Sequence, residues 1–239
     1  MIKRKDGTLL NVMIVFVILT VASTAFSAES SMGRIIPKGT VSLYQEGQKI
    51  GEFSTEAPLS ENTFLSVQGE CGVKLSDLYL VAVDKSLFSV TTNTDSRKLI
   101  VQSGTVYFSL SSMPHTLVFQ TPEGVITTRE VMIKAASNGG SLKGYVFVEE
   151  GVTRVGVLEG GSMVMMVDDG KPITIDAGRE IRLAQADQVK DSAGAKVAGE
   201  AGAVSGHSAI VVMTGAVVPI LSGYAFGENN DAPGSPSAP

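Results

Sequence analysis

Apolar and polar residues alternate in short runs through the middle of the chain, and most runs are closed by glycine. Val101-Gln102-Ser103-Gly104-Thr105-Val106-Tyr107-Phe108-Ser109-Leu110 is one such run. Gly144-Tyr145-Val146-Phe147-Val148-Glu149-Glu150-Gly151 is another, and residues 155–167 form a third. A period of two puts successive side chains on opposite faces of a strand, so each run predicts a strand with one buried face. Earlier, Gly39-Thr40-Val41-Ser42-Leu43-Tyr44 and Lys49-Ile50-Gly51-Glu52-Phe53 flank the turn Gln45-Glu46-Gly47-Gln48, a hairpin signal. Residues 63–67, 73–75, 78–83 and 86–90 add short strands, with Gly69 and Gly72 framing Cys71 and Asp77 at a turn. Residues 99–110 bend at Gly104, and residues 116–121 and 124–127 pair through Pro122-Glu123-Gly124. Residues 130–136 suit a strand or a short helix equally. Asp168-Asp169-Gly170-Lys171 is a turn, and residues 173–183 alternate to the end of the patterned region.

The inward phase of these runs predicts burial of Leu75, Leu80, Phe88, Val101, Phe108, Phe119, Val146, Val148, Val157, Ile175 and Ile181. Many short strands with glycine turns predict an all-β fold, a sandwich or roll. Gly39-Thr40-Val41, Gly104-Thr105-Val106 and Gly161-Ser162-Met163 each open an alternating strand. Their spacings of 65 and 57 residues are unequal, which reads as recurrent turn chemistry and not as a solenoid repeat.

The two ends depart from this pattern. Residues 1–28 read as a signal peptide or anchor helix. Lys3, Arg4 and Lys5 precede an apolar stretch over residues 9–22, and Ala25-Phe26-Ser27 offers a cleavage context before Ala28. Residues 35–68 form a leading β-hairpin region and residues 69–183 the main β domain. Residues 184–207 are an Ala/Gly-rich linker. Residues 208–226 predict an apolar transmembrane helix, since the 18 residues from 209 to 226 carry no charge. Residues 227–239, rich in Gly, Pro and Ser, predict a disordered tail.

Composition narrows the function. The 239 residues suit one domain with appendages, and 44% hydrophobic residues suffice for a core. Removing the three N-terminal cations and Asp6 with the leader takes the formal charge from -5 to -7, so no basic footprint for nucleic acid remains. Cys71 is the only cysteine, which excludes an internal disulfide and a lipid-bearing cysteine at the leader. It reads as a small buried apolar residue beside Gly72 and Val73.

No catalytic constellation emerges. His115 and His207 are the only histidines and form no ligand pair, so neither a metal site nor a Ser-His-Asp triad is implied. Asp168 and Asp169 before Gly170 suggest a hairpin turn ahead of calcium. Glu149 and Glu150 are read as facing opposite sides of a strand, unable to act as a pair. Gly139-Gly140 and Gly160-Gly161 lack the Lys-Ser/Thr of a phosphate loop. Met163 and Met165 share one face and Met166 the other, which reads as core packing and not as a soft-metal surface.

Six segments, in order, resemble the FecR domain family, the periplasmic β domain of bacterial cell-surface signalling regulators. They are Gly72-Val73-Lys74-Leu75-Ser76-Asp77, Ser86-Leu87-Phe88, the run opening Arg97-Lys98-Leu99 through Leu110, Val118-Phe119-Gln120-Thr121-Pro122-Glu123-Gly124-Val125, residues 145–151 and residues 175–183. Arg129-Glu130-Val131-Met132-Ile133 stands where family members carry G-T-x-F. Only residues 1–8 precede the apolar run, too few for the family's cytoplasmic anti-sigma segment. The resemblance implies a non-enzymatic β scaffold in the periplasm or cell envelope, membrane-associated, binding a protein or polymer partner in a signalling or assembly role, with no cofactor. The competing expectation is a glycan-acting enzyme or carbohydrate-binding module. That would gather two or more carboxylates around Tyr107 or Tyr145. Sugar sites favour aromatic platforms, whereas aromatics are 6% here and tryptophan is absent.

Overall fold

The computed structural model describes residues 32–112, 116–134, 140–168 and 170–185, and the backbone of 210–216. Among these the regular structure is entirely strand. In chain order the strands are β1 (Gly33–Gln45), β2 (Gln48–Phe53), β3 (Ala57–Leu59), β4 (Phe64–Lys74), β5 (Leu78–Ala82), β6 (Leu87–Thr92), β7 (Ser96–Leu110) and β8 (Thr116–Thr121). They continue with β9 (Gly124–Ile133), β10 (Leu142–Glu149), β11 (Val152–Glu159), β12 (Gly161–Val167), β13 (Ile173–Asp176), β14 (Arg179–Gln185) and β15 (Ile210–Ala216).

Three long strands organise the rest, because each belongs to two layers. The second half of β1 pairs with β2 and with the first half of β4, while its first half pairs with β3 and the second half of β4. On its far side β4 pairs with β6 through Phe64, Leu65 and Ser66, and with β5 from Cys71 onward. β7 repeats the arrangement: its first half lies between β6 and β8, its second half between β5 and β10. One layer therefore runs β2-β1-β4-β6-β7-β8-β9-β12-β13. The other runs β3-β1-β4-β5-β7-β10-β11-β14-β15. Strands of the leading region thus pair into the same layers as those that follow.

The bends fall at glycine. Gly39 and Gly69 face each other across β1 and β4 with φ of 146° and 97°, and Gly104 bends β7 with φ of 87°. A Cβ on Gly104 would stand 2.6 Å from the Cα of Ser86, whose Oγ instead donates to Thr105 O (2.9 Å) and accepts from Thr105 N (3.1 Å). The recurrent Gly-Thr-Val and Gly-Ser-Met signals are therefore not strand openings in two of three cases. Gly39 and Gly104 are bends within strands, and Gly161 marks the step from β11 in the second layer to β12 in the first. Likewise Gly69 and Gly72 do not break the chain around Cys71, since β4 runs straight through them.

The curl of β7 explains an unusual connection. β7 and β8 are parallel, with Ser96 opposite Thr116. A straight strand of 15 residues would put its ends about 46 Å apart at roughly 3.3 Å per residue. The link from Leu110 to Thr116 can reach only about 20–22 Å. The ends of β7 must therefore approach each other, and Asp77 sits between them: its carbonyl accepts from Ser111 N (3.2 Å) while its carboxylate accepts from Arg97.

The layers enclose one apolar interior. Phe108 of the second layer packs on Phe119 of the first, ring centroids 5.3 Å apart. All the positions expected to be inward are buried, the most exposed being Leu75 at 7%. Residues 130–133, ambiguous by periodicity, belong to β9 as strand. The run from 155 to 167 divides at Gly160 and Gly161, where a Cβ on either would stand 1.9 Å from a backbone carbonyl oxygen. Within the expected helix over 208–226, residues Ile210–Ala216 are instead β15, paired antiparallel to β14. β-branched Ile210, Val211 and Val212 suit a strand better than a helix. The first two residues of the expected linker, Ala184 and Gln185, finish β14. No helix among the described residues is long and apolar enough to cross a membrane. The expected leader over 1–28 and tail over 227–239 lie outside the described residues.

Candidate functional site

Strand alternation sends one set of side chains of the second layer inward and the other outward. Leu80, Phe108, Val146, Val155 and Ile181 point in. The opposite phase carries Tyr79, Val81, Tyr107, Tyr145, Phe147, Arg154, Glu180 and Arg182. Register aligns this outward set into two rows. Val81, Tyr107, Tyr145, Gly156 and Glu180 lie directly opposite one another across β5, β7, β10, β11 and β14. Thr105, Phe147, Arg154 and Arg182 form the adjacent row.

In the first row Tyr145 reaches over a whole strand. Its hydroxyl donates to the carboxylate of Glu180, passing across Gly156. A Cβ at Gly156 would stand 2.6 Å from the Tyr145 ring, so only glycine leaves the path open. Glu180 is 8% exposed and forms no ion pair among the described residues. Burial, then the hydrogen bond to the Glu180 carboxylate, pushes the Tyr145 phenol well above its ordinary value. Tyr107 stands beside it, ring centroids 6.3 Å apart and tilted by 49°. Val81, Tyr107 and Tyr145 form a small apolar cluster of their own, bordered by Tyr79, Val83, Phe147 and Leu158.

The second row is cationic. The Arg154 guanidinium carbon lies 4.2 Å from the centroid of the Phe147 ring, a cation–π contact. Arg182 is directly opposite Arg154 on β14. Neither arginine has a carboxylate partner among the described residues, and the buried Nε of Arg182 has no acceptor. Ion pairs do form farther out on the same layer, Lys143 with Glu159 at 2.9 Å and Lys38 with Glu70 at 2.8 Å.

The other sequence candidates resolve into structural roles. Cys71 is fully buried, its Sγ donating to Gly72 O at 3.4 Å, and burial pushes its thiol up to about 12. Asp168 closes the turn after β12, its carboxylate accepting from Val125 N at 3.2 Å. Glu149 ends β10, but Glu150 is not on the strand: with Gly151 it forms the two-residue hairpin loop, φ 46° and 76°. Met163 and Met165 are buried and Met166 is half-exposed on the other face. Glu123, at the β8–β9 turn, is buried and accepts from Thr153 Oγ1, which ties the two layers at that end. His115, His207, Gly139 and Asp169 lie outside the described residues. No group of three or more His, Cys, Asp and Glu able to hold a metal occurs among the described residues.

No protein-family model matches the chain, and neither does any curated protein sequence. Two crystal structures of a candidate anti-sigma factor from Parabacteroides distasonis ATCC 8503, at 1.65 Å and 2.50 Å, are similar to part of it. They share 14% and 15% sequence identity with TM-scores of 0.37 and 0.36. Each match covers 51% of this chain and 54% of the other, so the chain spans about half the length of the structures it matches. A likeness this distant leaves the function to the residues themselves.

Those residues were individually visible in the sequence but not their company. Tyr145 and Glu180 are 35 residues apart and on strands that are not neighbours. The one legible signal was phase: Tyr145, Phe147, Arg154, Glu180 and Arg182 all occupy the outward positions of alternating runs.

Proposed function

We propose that this chain is a non-enzymatic, exported β scaffold of the bacterial cell envelope that binds a protein partner through the outward face of its second layer, in a signalling or assembly role like that of FecR domains. The observation that carries the reading is the part-exposed row on that face, where the Arg154 guanidinium lies over Phe147 and opposite Arg182, backed by the buried Tyr107 and Tyr145. Aromatic residues and arginine are the side chains enriched at protein interfaces and at their energetic hot spots. A sugar-cleaving site needs a second carboxylate across the scissile bond. Among the described residues the Tyr145 hydroxyl engages one carboxylate, that of Glu180.

The test is co-purification of the intact protein with its envelope partner, comparing wild type with Phe147→Ala and Arg154→Glu. Both substitutions sit on the outward face and leave the interior intact. Loss of the partner with both, at unchanged thermal stability, is the expected result. A partner retained by both variants rejects the face. Export predicts a mature N terminus near Ala28; a full-length cytoplasmic product rejects that part.

A further inference from the structure

We infer that Arg154 and Arg182 form a clamp for a carboxylate, and that the partner presents an acidic side chain to it. The inference rests on the partner-binding reading of this face and names what the face recognises.

Three observations converge on the pair. First, two like charges directly opposite one another on neighbouring strands destabilise a sheet. Arg154 and Arg182 occupy such a pair, and no carboxylate among the described residues offsets it. Second, the Nε of Arg182 is buried without an acceptor. A buried donor left unsatisfied costs free energy, which the part-exposed side chain recovers by turning toward a bound oxygen. Third, the Arg154 guanidinium carbon stands 4.2 Å from the centroid of the Phe147 ring, so the ring holds that end of the side chain in place. A planar guanidinium matches the two oxygens of a carboxylate in parallel hydrogen bonds.

The neighbouring acidic groups do not fill the role. Glu180 lies in the next row, accepts from the Tyr145 hydroxyl, and forms no ion pair with either arginine among the described residues. Glu149, at the end of β10, is exposed and forms no ion pair with either arginine. The clamp therefore sets two positive charges beside the single negative charge of Glu180, and the cluster keeps a net positive charge. An acidic residue on an extended partner segment complements it in charge, and the segment's flanking apolar residues meet the part-exposed Phe147.

The experiment follows the two arginine Nε–H resonances of the full chain by NMR while adding a ten-residue polyglutamate peptide, a polyglutamine peptide of the same length, or inorganic phosphate. The expected result is that polyglutamate shifts both resonances and that polyglutamine shifts neither. Arg154→Gln with Arg182→Gln should weaken polyglutamate binding about tenfold or more, as the loss of charge-assisted hydrogen bonds implies. Arg154→Lys with Arg182→Lys, which keeps the charge but not the fork, should weaken it by less. Unchanged polyglutamate binding by the double glutamine variant overturns the clamp. So does phosphate moving the resonances at lower concentration than polyglutamate. Resonances already shifted in the free chain, and restored by Glu228→Gln with Asp231→Asn, would assign the clamp to the chain's own tail and also overturn it. If the partner is lost with Phe147→Ala while polyglutamate never touches the arginines, the face stands and the clamp falls. If polyglutamate binds at the arginines but the partner survives every substitution, the clamp stands and the partner-binding reading falls.

Discussion

Asp77 and Arg97, 20 residues apart, meet in a buried ion pair whose side chains are only 10% and 7% exposed. Each came from a separate segment of the FecR-like pattern, and the structure joins them. Arg97 opens β7, Asp77 precedes β5, and the backbone of Asp77 also holds Ser111 just past the far end of β7. The pair therefore fastens the curl of that strand. Removing one partner leaves a buried charge uncompensated. Arg97→Ala should lower stability by about 3–5 kcal/mol in urea unfolding.

The same pair sets an acid limit. Burial alone would raise the Asp77 pKa, but hydrogen bonds from Arg97 and Ser76 outweigh it and hold the carboxyl below its ordinary value of 3.8. A depressed carboxyl stabilises the fold fully above that ordinary value and loses its contribution as pH falls beneath it. The urea midpoint of the wild type should therefore decline through that acid range, and Asp77→Asn should flatten the decline.

Phe108→Ala tests the interior. The ring packs on Phe119, and its Cζ fills the space above Gly144, where a Cβ would stand 2.3 Å away. The expected loss is about 3–5 kcal/mol in chemical unfolding.

How far the sequence foretold this architecture depends on which property is asked for. Burial was readable at Phe108, Val146 or Ile181 because a period of two fixes which face a residue occupies. The turn at Glu46-Gly47 was readable because both residues need positive φ, 51° and 79°. The bends at Gly39, Gly69 and Gly104 were not, since a positive-φ glycine inside a strand carries the same letter as one that ends it. Register was hidden as well, so the meeting of Tyr145 with Glu180, and of Arg154 with Arg182, could not be assembled from alternation. For β15, length without charge suggested a helix while the β-branched content of Ile210, Val211 and Val212 argued for a strand, and pairing with β14 settled it.

Gly104→Ala and Gly47→Ala separate conformational strain from collision. Both glycines have positive φ, but Gly47 has open space around its missing Cβ while Gly104 faces Ser86 Cα at 2.6 Å. Gly47→Ala should cost about 1–2 kcal/mol. Gly104→Ala should cost clearly more, or prevent folding, as judged by thermal unfolding of the two variants side by side.

Cys71 should resist thiol reagents. With its thiol pushed up to about 12 and its side chain buried, almost no thiolate is present near pH 8. Labelling should be slow in the native protein and complete after denaturation. Rapid native labelling would place Cys71 at the surface.

Tyr145→Phe removes the hydroxyl that donates to the buried Glu180 carboxylate, at a cost of about 1–3 kcal/mol. The raised phenol adds a sign at the other end of the pH scale. A group that binds its proton more tightly when folded loses its stabilising effect as pH rises past its ordinary value, here 10.0. The wild type should weaken above that pH, and Tyr145→Phe should weaken less.

A strand that belongs to both layers is also a mechanical element. In a sandwich joined only by side chains, one layer can creep over the other by exchanging rotamers. Here β1, β4 and β7 pass through both layers, so sliding would have to stretch covalent backbone. A pull delivered at Arg154 runs along the hydrogen bonds from β11 through β10 to β7, and round the bend at Gly104 into the opposite layer. The same three strands that enclose the core thus join the outward face to the opposite layer through continuous backbone.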